Sequence, residues 1–246
     1  MLTALLAALR EGEFGIEIIV ELCALLFTTL CCFPVHESAH AWMADKLGDP
    51  TGRLKGRISF NPLVHLDVIG TIMILVFGFG YAKPVPVNIR NFKNRKRDFG
   101  LTALAGPVSN LILAVVACIV QDIIVVIAYK NGYGAHLAEL DTNNRIAVLV
   151  YVSVMFFQYA CFINVALAVF NLIPIPPLDG SRLLTAILPD KIYYKIMQYE
   201  RYSMYALFAL LFIFNRIGIS PVSFISGKVF DLIQNLIWIP FRLMLS

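Results

Sequence analysis

The chain contains 33 consecutive residues without a charged side chain, 146–178, and this run limits its fold more than any other feature. About 20 apolar residues in a helix are enough to cross a lipid bilayer. Similar runs occupy 14–35, 101–129 and 202–227, each interrupted by no more than two charged residues. We therefore predict four transmembrane helices. A weaker fifth segment, 230–243, has the composition of a helix that lies in the membrane interface.

Residues 68–82 are apolar as well, but at 15 residues they are short for a span. Gly70, Gly78 and Gly80 interrupt the segment, and Ile, Val and Phe dominate it. This pattern favours a strand or hairpin that enters the membrane against other protein. A short, kinked transmembrane helix is the alternative. The predicted fold class is thus an all-α polytopic membrane protein of four to six transmembrane helices with a small membrane-embedded β-hairpin.

A second break is predicted at 174–177, where three prolines stand in four positions. Proline lacks the backbone N–H that a helix needs and restricts the residue before it. We expect the chain to be extended there. Two irregular segments inside a membrane protein indicate an internal site that water can reach.

Residues 36–40 read His-Glu-Ser-Ala-His, which is an HExxH motif. On a helix, His36 and His40 lie one turn apart on one face, where two imidazole nitrogens can hold one zinc ion. Glu37 lies beside them, placed to take a proton from a water. The alternative interpretation is a pair of buried histidines near the end of a helix.

A third protein ligand is needed to complete a catalytic zinc site. The position six residues after His40, where a metzincin has histidine, is Lys46. A thermolysin-type protease would use a Glu some tens of residues downstream, but no Glu occurs between Glu37 and Glu139. The third ligand is therefore an Asp, or the protein differs from both of those protease types. Asp179 follows the long uncharged run, where an ionised group needs a partner such as a metal. Its alternative role is an ordinary helix N-cap.

The charged residues predict the orientation in the membrane. Six Lys and Arg lie within 83–98, and four more lie within 45–57, whereas 11–21 holds four glutamates and neither Lys nor Arg. By the positive-inside rule both basic loops are cytoplasmic. The first helix then runs inward, so the HExxH motif and Asp179 end near the cytoplasmic face. The basic cluster is short and next to the membrane, which favours topology or anionic lipid over nucleic acid.

Four segments in this order resemble the site-2 proteases, a family of intramembrane zinc metalloproteases. They are HESAH at 36–40, FNPLVHLDVIGT at 60–71, AGPVSN at 105–110 and NLIPIPPLDG at 171–180. The resemblance covers about residues 40–200.

The resemblance implies that His36, His40 and Asp179 hold a single Zn²⁺ ion and that Glu37 is the general base. Asn171 matches an Asn that holds the substrate or the oxyanion near the metal.

Gly106, Pro107 and Asn110 match a helix-packing motif near the site. Small residues that allow close helix contact explain them at least as well as direct chemistry does. His65 is expected to be a hydrogen-bonded loop residue, with a supporting role beside the zinc as the alternative. Glu17 and Glu21 share a helix face. Three roles remain open for them: they line a polar cavity, they contact a partner, or they lie near the outer surface.

The predicted activity is hydrolysis of peptide bonds within or near the transmembrane segments of other membrane proteins. The alternative is a non-catalytic zinc-binding membrane protein, either a transporter or a pseudoprotease. No internal repeat is evident, and Glu37 is present, which argues against both. We expect one integral membrane domain over 1–246, with a catalytic core at about 14–200 and C-terminal helices at 202–245, and no PDZ or CBS domain. The expected location is the cell membrane, as a multi-pass protein.

Overall fold

A computed structural model describes residues 15–77, 80–137, 141–217 and 221–244, and it is mostly helical. Within these residues the α-helices are α1 (Ile16–Phe27), α2 (Phe33–Lys46), α3 (Thr51–Leu54), α4 (Pro62–His65), α5 (Val68–Phe77), α6 (Arg95–Lys130), α7 (Arg145–Asn171), α8 (Asp179–Ile187), α9 (Asp190–Met197), α10 (Glu200–Arg216) and α11 (Pro221–Arg242). Short 3₁₀ turns lie at Ile89–Asn91 and Gly134–Leu137.

Four helices in the described part of the chain are long and apolar enough to cross a membrane. They are Ile16–Lys46, which joins α1 to α2, then α6, α7 and α11. The number matches the prediction, but the fourth span was wrongly placed at 202–227. In the structure α10 ends at Arg216 and a new helix begins at Pro221, so all but the last residue of 230–243 belongs to a 22-residue helix, Pro221–Arg242. Proline is favoured in the first turn of a helix, where its missing N–H costs nothing.

The first span runs through the HExxH motif as predicted, but with a π-helical segment at Thr28–Cys32. Pro34 cannot donate a backbone hydrogen bond one turn back along the helix. At this place the N–H of Phe33 bonds to the carbonyl of Thr28, five residues earlier. The helix thus absorbs one extra residue just before His36.

The predicted β-hairpin at 68–82 is wrong over the residues that the structure describes. Residues 68–77 form helix α5, and the alternative of a short helix is the better prediction. Asp67 explains why, because its Oδ1 accepts the N–H groups of Ile69 and Gly70, both at 3.0 Å, and so caps the helix. The nearest feature to a sheet is an isolated antiparallel bridge between Leu66 and Ala82.

Helix α7 ends at Asn171, before the prolines at 174–177, as predicted. The segment 172–178 that contains the prolines is turned rather than extended. The N–H of Ile175 bonds to the carbonyl of Ile173 at 2.8 Å, and that of Leu178 bonds to Ile175 at 2.9 Å. These turns shorten the connection, and helix α8 begins at Asp179.

Small side chains form much of the buried contact between α6 and α7. Ala114, Ala117 and Cys118 of α6 meet Ala160 and Cys161 of α7, and all of them are buried. Small residues let helix backbones approach closely in a membrane, where dispersion contacts hold helices together. Helix α6 also packs against α2 and α8, which brings the HExxH motif and the start of α8 to the same helix.

Candidate metal centre

Three potential ligand atoms meet at one point of the structure. The Nε2 atoms of His36 and His40 are 3.1 Å apart. Asp179 Oδ2 lies 3.2 Å from the first and 3.1 Å from the second. Ligands bonded to a tetrahedral zinc ion at about 2.05 Å are separated from each other by about 3.3 Å. The nearly equilateral triangle therefore fits three corners of a zinc site and leaves the fourth corner for water or substrate.

The three ligands come from two helices that are far apart in the sequence. His36 and His40 are one turn apart on α2, and Asp179 is the first residue of α8. The carboxylate points to the histidines and does not serve as the N-cap, which is Leu178. Burial raises the pKa of Asp179, but the imidazoles beside it outweigh that effect, so the net pKa lies below its usual value. The carboxylate is thus ionised, as a metal ligand must be.

A main-chain carbonyl of α6 fixes the orientation of His40. His40 Nδ1 lies 2.7 Å from the carbonyl oxygen of Thr102. Because a carbonyl can only accept, Nδ1 carries a hydrogen, and Nε2 is the ring nitrogen that faces the other two candidate ligands. His36 Nδ1 is buried and has no hydrogen-bond partner among the described residues. This orientation of His40 is the one that metal binding through Nε2 requires.

Helix α6 has a glycine, Gly106, at the point where it packs against the two histidines. A Cβ atom at Gly106 would lie 2.3 Å from His40 Nε2 and 2.6 Å from a ring carbon of His36. Helix α6 therefore touches both imidazoles through the bare backbone of this glycine. This contact favours the packing interpretation of the 105–110 motif, with Pro107 and Asn110 also buried.

Glu37 and Asn171, the other two predicted site residues, lie on the wall of a cavity that also contains the three ligands. Glu37 is 9% exposed. The Nδ2 of Asn171 donates to the carbonyl of Leu167 at 3.0 Å at the end of α7. The structure thus gathers all five predicted residues around one space, three of them as a cluster.

That cavity has a volume of about 1210 Å³ and largely apolar walls from α1, α7 and α10. Small-molecule pockets typically have volumes of roughly 300–1,000 Å³. The cavity is larger and would admit a segment of polypeptide. Non-helical residues in 80–87 form part of the wall, and Glu21 of α1 also faces it.

His65 supports the loop beside the HExxH helix and does not join the triad. It is fully buried, and its Nε2 lies 2.8 Å from the carbonyl of Ser59. Burial lowers the pKa of His65, which keeps it neutral at physiological pH. Ser38, inside the motif, accepts the N–H of Ser59 at 3.1 Å. The loop interpretation of His65 therefore fits the structure.

Three residues that shape the surroundings of the candidate metal centre were not predicted from the sequence. The carbonyl of Thr102 carries no residue-type signal in the sequence. Ser38 occupies a variable position of the motif. Arg182 lines the cavity one turn after Asp179, and this i, i+3 spacing on α8 was a signal that could have found it.

Comparisons with known proteins agree with this chemistry. The family model for peptidase family M50 matches residues 24–214. The chain is 40% identical over 190 residues to the candidate zinc metalloprotease YwhC of Bacillus subtilis, covering 77% of this chain and 80% of that protein. It is 30% identical over 152 residues to the candidate zinc metalloprotease MJ0611 of Methanocaldococcus jannaschii, covering 62% and 64%. No solved structure gives a significant match.

Proposed function

Because the chain belongs to peptidase family M50 and is a zinc metalloprotease, we propose that it is an intramembrane endopeptidase. It would hydrolyse peptide bonds within or near the transmembrane segments of other membrane proteins. One observation carries this proposal. The three metal ligands and Glu37 open onto an apolar cavity, and the helices around it include spans long enough to cross a bilayer.

His36, His40 and Asp179 would hold one zinc ion, which when bound supplies Lewis acidity that lowers the pKa of a water and polarises the scissile carbonyl. Glu37 follows the first ligand and faces the same cavity. Its carboxylate would accept the proton of the attacking water and pass it to the nitrogen of the leaving amine.

Asn171 would orient the substrate. Its side-chain amide has two N–H donors, of which the carbonyl of Leu167 takes one. The second is available to a substrate carbonyl that enters the cavity. This arrangement supports a positioning role at the place where charge develops on the substrate oxygen.

A substrate helix must unwind before it can be cleaved, because its carbonyls are hidden in its own hydrogen bonds. The non-helical stretch 80–87 lies on the cavity wall. It is held on one side, where the N–H of Lys83 donates to the carbonyl of His65 at 2.8 Å. We propose that the unwound substrate pairs with this stretch by β-augmentation.

We also propose that the protein lies in the cell membrane with its site toward the cytoplasmic side. The basic residues of 45–57 and 83–98 support this orientation by the positive-inside rule. Lys55, Arg90 and Lys93 are exposed, as such loop residues should be.

Quantitative proteomics of membrane fractions tests the proposal. Cells that express the wild-type protein would be compared with cells that express Glu37→Gln. We expect fragments with new termini inside or next to predicted transmembrane segments only in the wild-type cells. If the new termini lay only in soluble domains, the protein would still be a metalloprotease, but the proposal that it cleaves within the membrane would be contradicted.

A further inference from the structure

A second cavity, separate from the metal centre, lies between the start of α6 and helix α8. Its volume is about 500 Å³. One end is basic and the remainder is apolar. The residues that define it are Lys96, Arg97, Leu101, Leu104, Leu183 and Ile187.

Both walls of this groove are fixed by helix contacts. Gly100 of α6 has no side chain, and a Cβ there would meet Leu183 Cδ2 of α8 at 3.8 Å. The hydroxyl of Thr185 donates to the carbonyl of Arg182 at 2.7 Å on its own helix and lies 3.5 Å from the carbonyl of Lys96, so the two helices are in contact at the basic end. The groove is therefore a feature of two packed helices and not of a loop.

The positive charge at the mouth comes from side chains and not from the end of helix α6. That end is already capped, because Asn94 accepts the N–H of Arg97 and Asp98 accepts the N–H of Asn94. Asp98 Oδ1 also accepts a hydrogen bond from Arg97 Nε at 2.8 Å, and the carboxylate offsets part of the positive charge of Arg97. The Arg97 side chain is still 62% exposed. Lys96 lines the same end of the groove.

The groove also runs from charged to uncharged sequence. Its charged end precedes the uncharged stretch 101–120, which lies in the second candidate span. Leu101 is 39% exposed and Ile187 is 78% exposed, so the apolar wall is open to surrounding acyl chains. Basic pockets beside membrane helices are a recognised form of site for anionic lipid headgroups.

From these observations we propose that the groove binds one anionic phospholipid. The phosphate would lie against Lys96 and Arg97, and one acyl chain would follow Leu101, Leu104 and Leu183 into the bilayer. Helix α8 supplies Leu183 and Ile187 to the groove and Asp179 to the metal centre. The lipid would thereby hold the zinc-bearing end of α8 against α6. This site does not depend on the proposed cleavage of membrane proteins.

The test counts lipids retained by the purified full chain in nanodiscs that contain phosphatidylcholine and phosphatidylglycerol. Native mass spectrometry would compare the wild type with the double variants Lys96→Gln/Arg97→Gln and Arg90→Gln/Lys93→Gln. Both variants remove two positive charges from the same basic region. We expect the wild type to retain one phosphatidylglycerol. The first variant should retain it about tenfold less well or worse, and the second should behave like the wild type.

A third variant, Leu104→Trp, fills the groove and leaves every charge in place. It should also lose the retained lipid, and it keeps the test decisive if the first double variant fails to fold. Equal losses in the two charge variants would show general surface attraction and overturn the proposal. Retention of phosphatidylcholine as readily as phosphatidylglycerol would overturn it as well.

Discussion

His40 owes its orientation to a main-chain carbonyl and not to another side chain. The acceptor is Thr102 on α6, so the side chain at 102 could change while the hydrogen bond remained. The sequence predicts His36, His40 and Glu37 from one short motif, because their spacing already places them on one helical turn. It cannot predict the Thr102 contact or the approach of Gly106, since both depend on how α6 is placed in three dimensions.

Glu37→Gln should abolish proteolysis and leave zinc binding intact. Glutamine has nearly the same shape but cannot accept the proton, and loss of general acid–base catalysis typically costs 10²- to 10⁴-fold in rate. The measurements are zinc per chain by elemental mass spectrometry and the yield of fragments from membrane proteins.

Glu17→Gln provides the control for this change, since Glu17 bonds to Tyr151 far from the ligands. It should keep both zinc and activity. A Glu37→Gln protein with full zinc content and undiminished cleavage would remove Glu37 from the mechanism.

Among the helices, α6 does most to assemble the site. It packs against α2, α7 and α8 and touches the imidazoles of His36 and His40 through Gly106. Apolar runs predicted the first three long helices correctly, because length without charge is what a bilayer requires. They misplaced the break near 216–221, since hydropathy continues across it. The strand prediction for 68–77 failed because β-branched composition outweighed the capping signal of Asp67.

Gly106→Ala should therefore displace the zinc ligands. The added methyl group would lie 2.3 Å from His40 Nε2, and the ring cannot move without losing its bond to Thr102. We expect zinc affinity to fall about 10- to 100-fold, as when the partners of metal-bound histidines are removed. Equilibrium dialysis with zinc would measure the change.

The matched control is Gly100→Ala on the same helix. Its methyl group would meet Leu183 at an ordinary 3.8 Å, so zinc affinity should stay close to that of the wild type. If both alanine variants bound zinc normally, Gly106 would not define the position of the imidazoles.

For the whole molecule, the fold places a polar site inside apolar surroundings. Long helices form the scaffold, and the breaks at the π-helical segment and at 172–178 bring polar groups inward. The sequence predicted that ligands about 140 residues apart would meet on one side of the membrane, because each helix reverses the direction of the chain. Its description as one domain over 1–246 and its cytoplasmic orientation remain predictions.

Cysteine labelling tests that orientation in intact cells. Cys23 and Cys31 are exposed and the other three cysteines are buried, so all five would first be replaced. A membrane-impermeant maleimide should then label Thr142→Cys from outside. Lys55→Cys and Lys93→Cys should react only after the cells are opened. Labelling of Lys93→Cys in intact cells would reverse the proposed topology.

The zinc content of Asp179→Asn compared with Asp67→Asn tests the central claim most directly, namely that the HExxH histidines and Asp179 form one zinc site. Asp67 caps α5 and also bonds to the Tyr81 hydroxyl, and asparagine caps helices as well as aspartate does. We predict about one zinc per chain in the wild type and in Asp67→Asn, and strongly reduced zinc in Asp179→Asn together with loss of proteolysis. Full zinc in Asp179→Asn and its loss in Asp67→Asn would contradict the site described here.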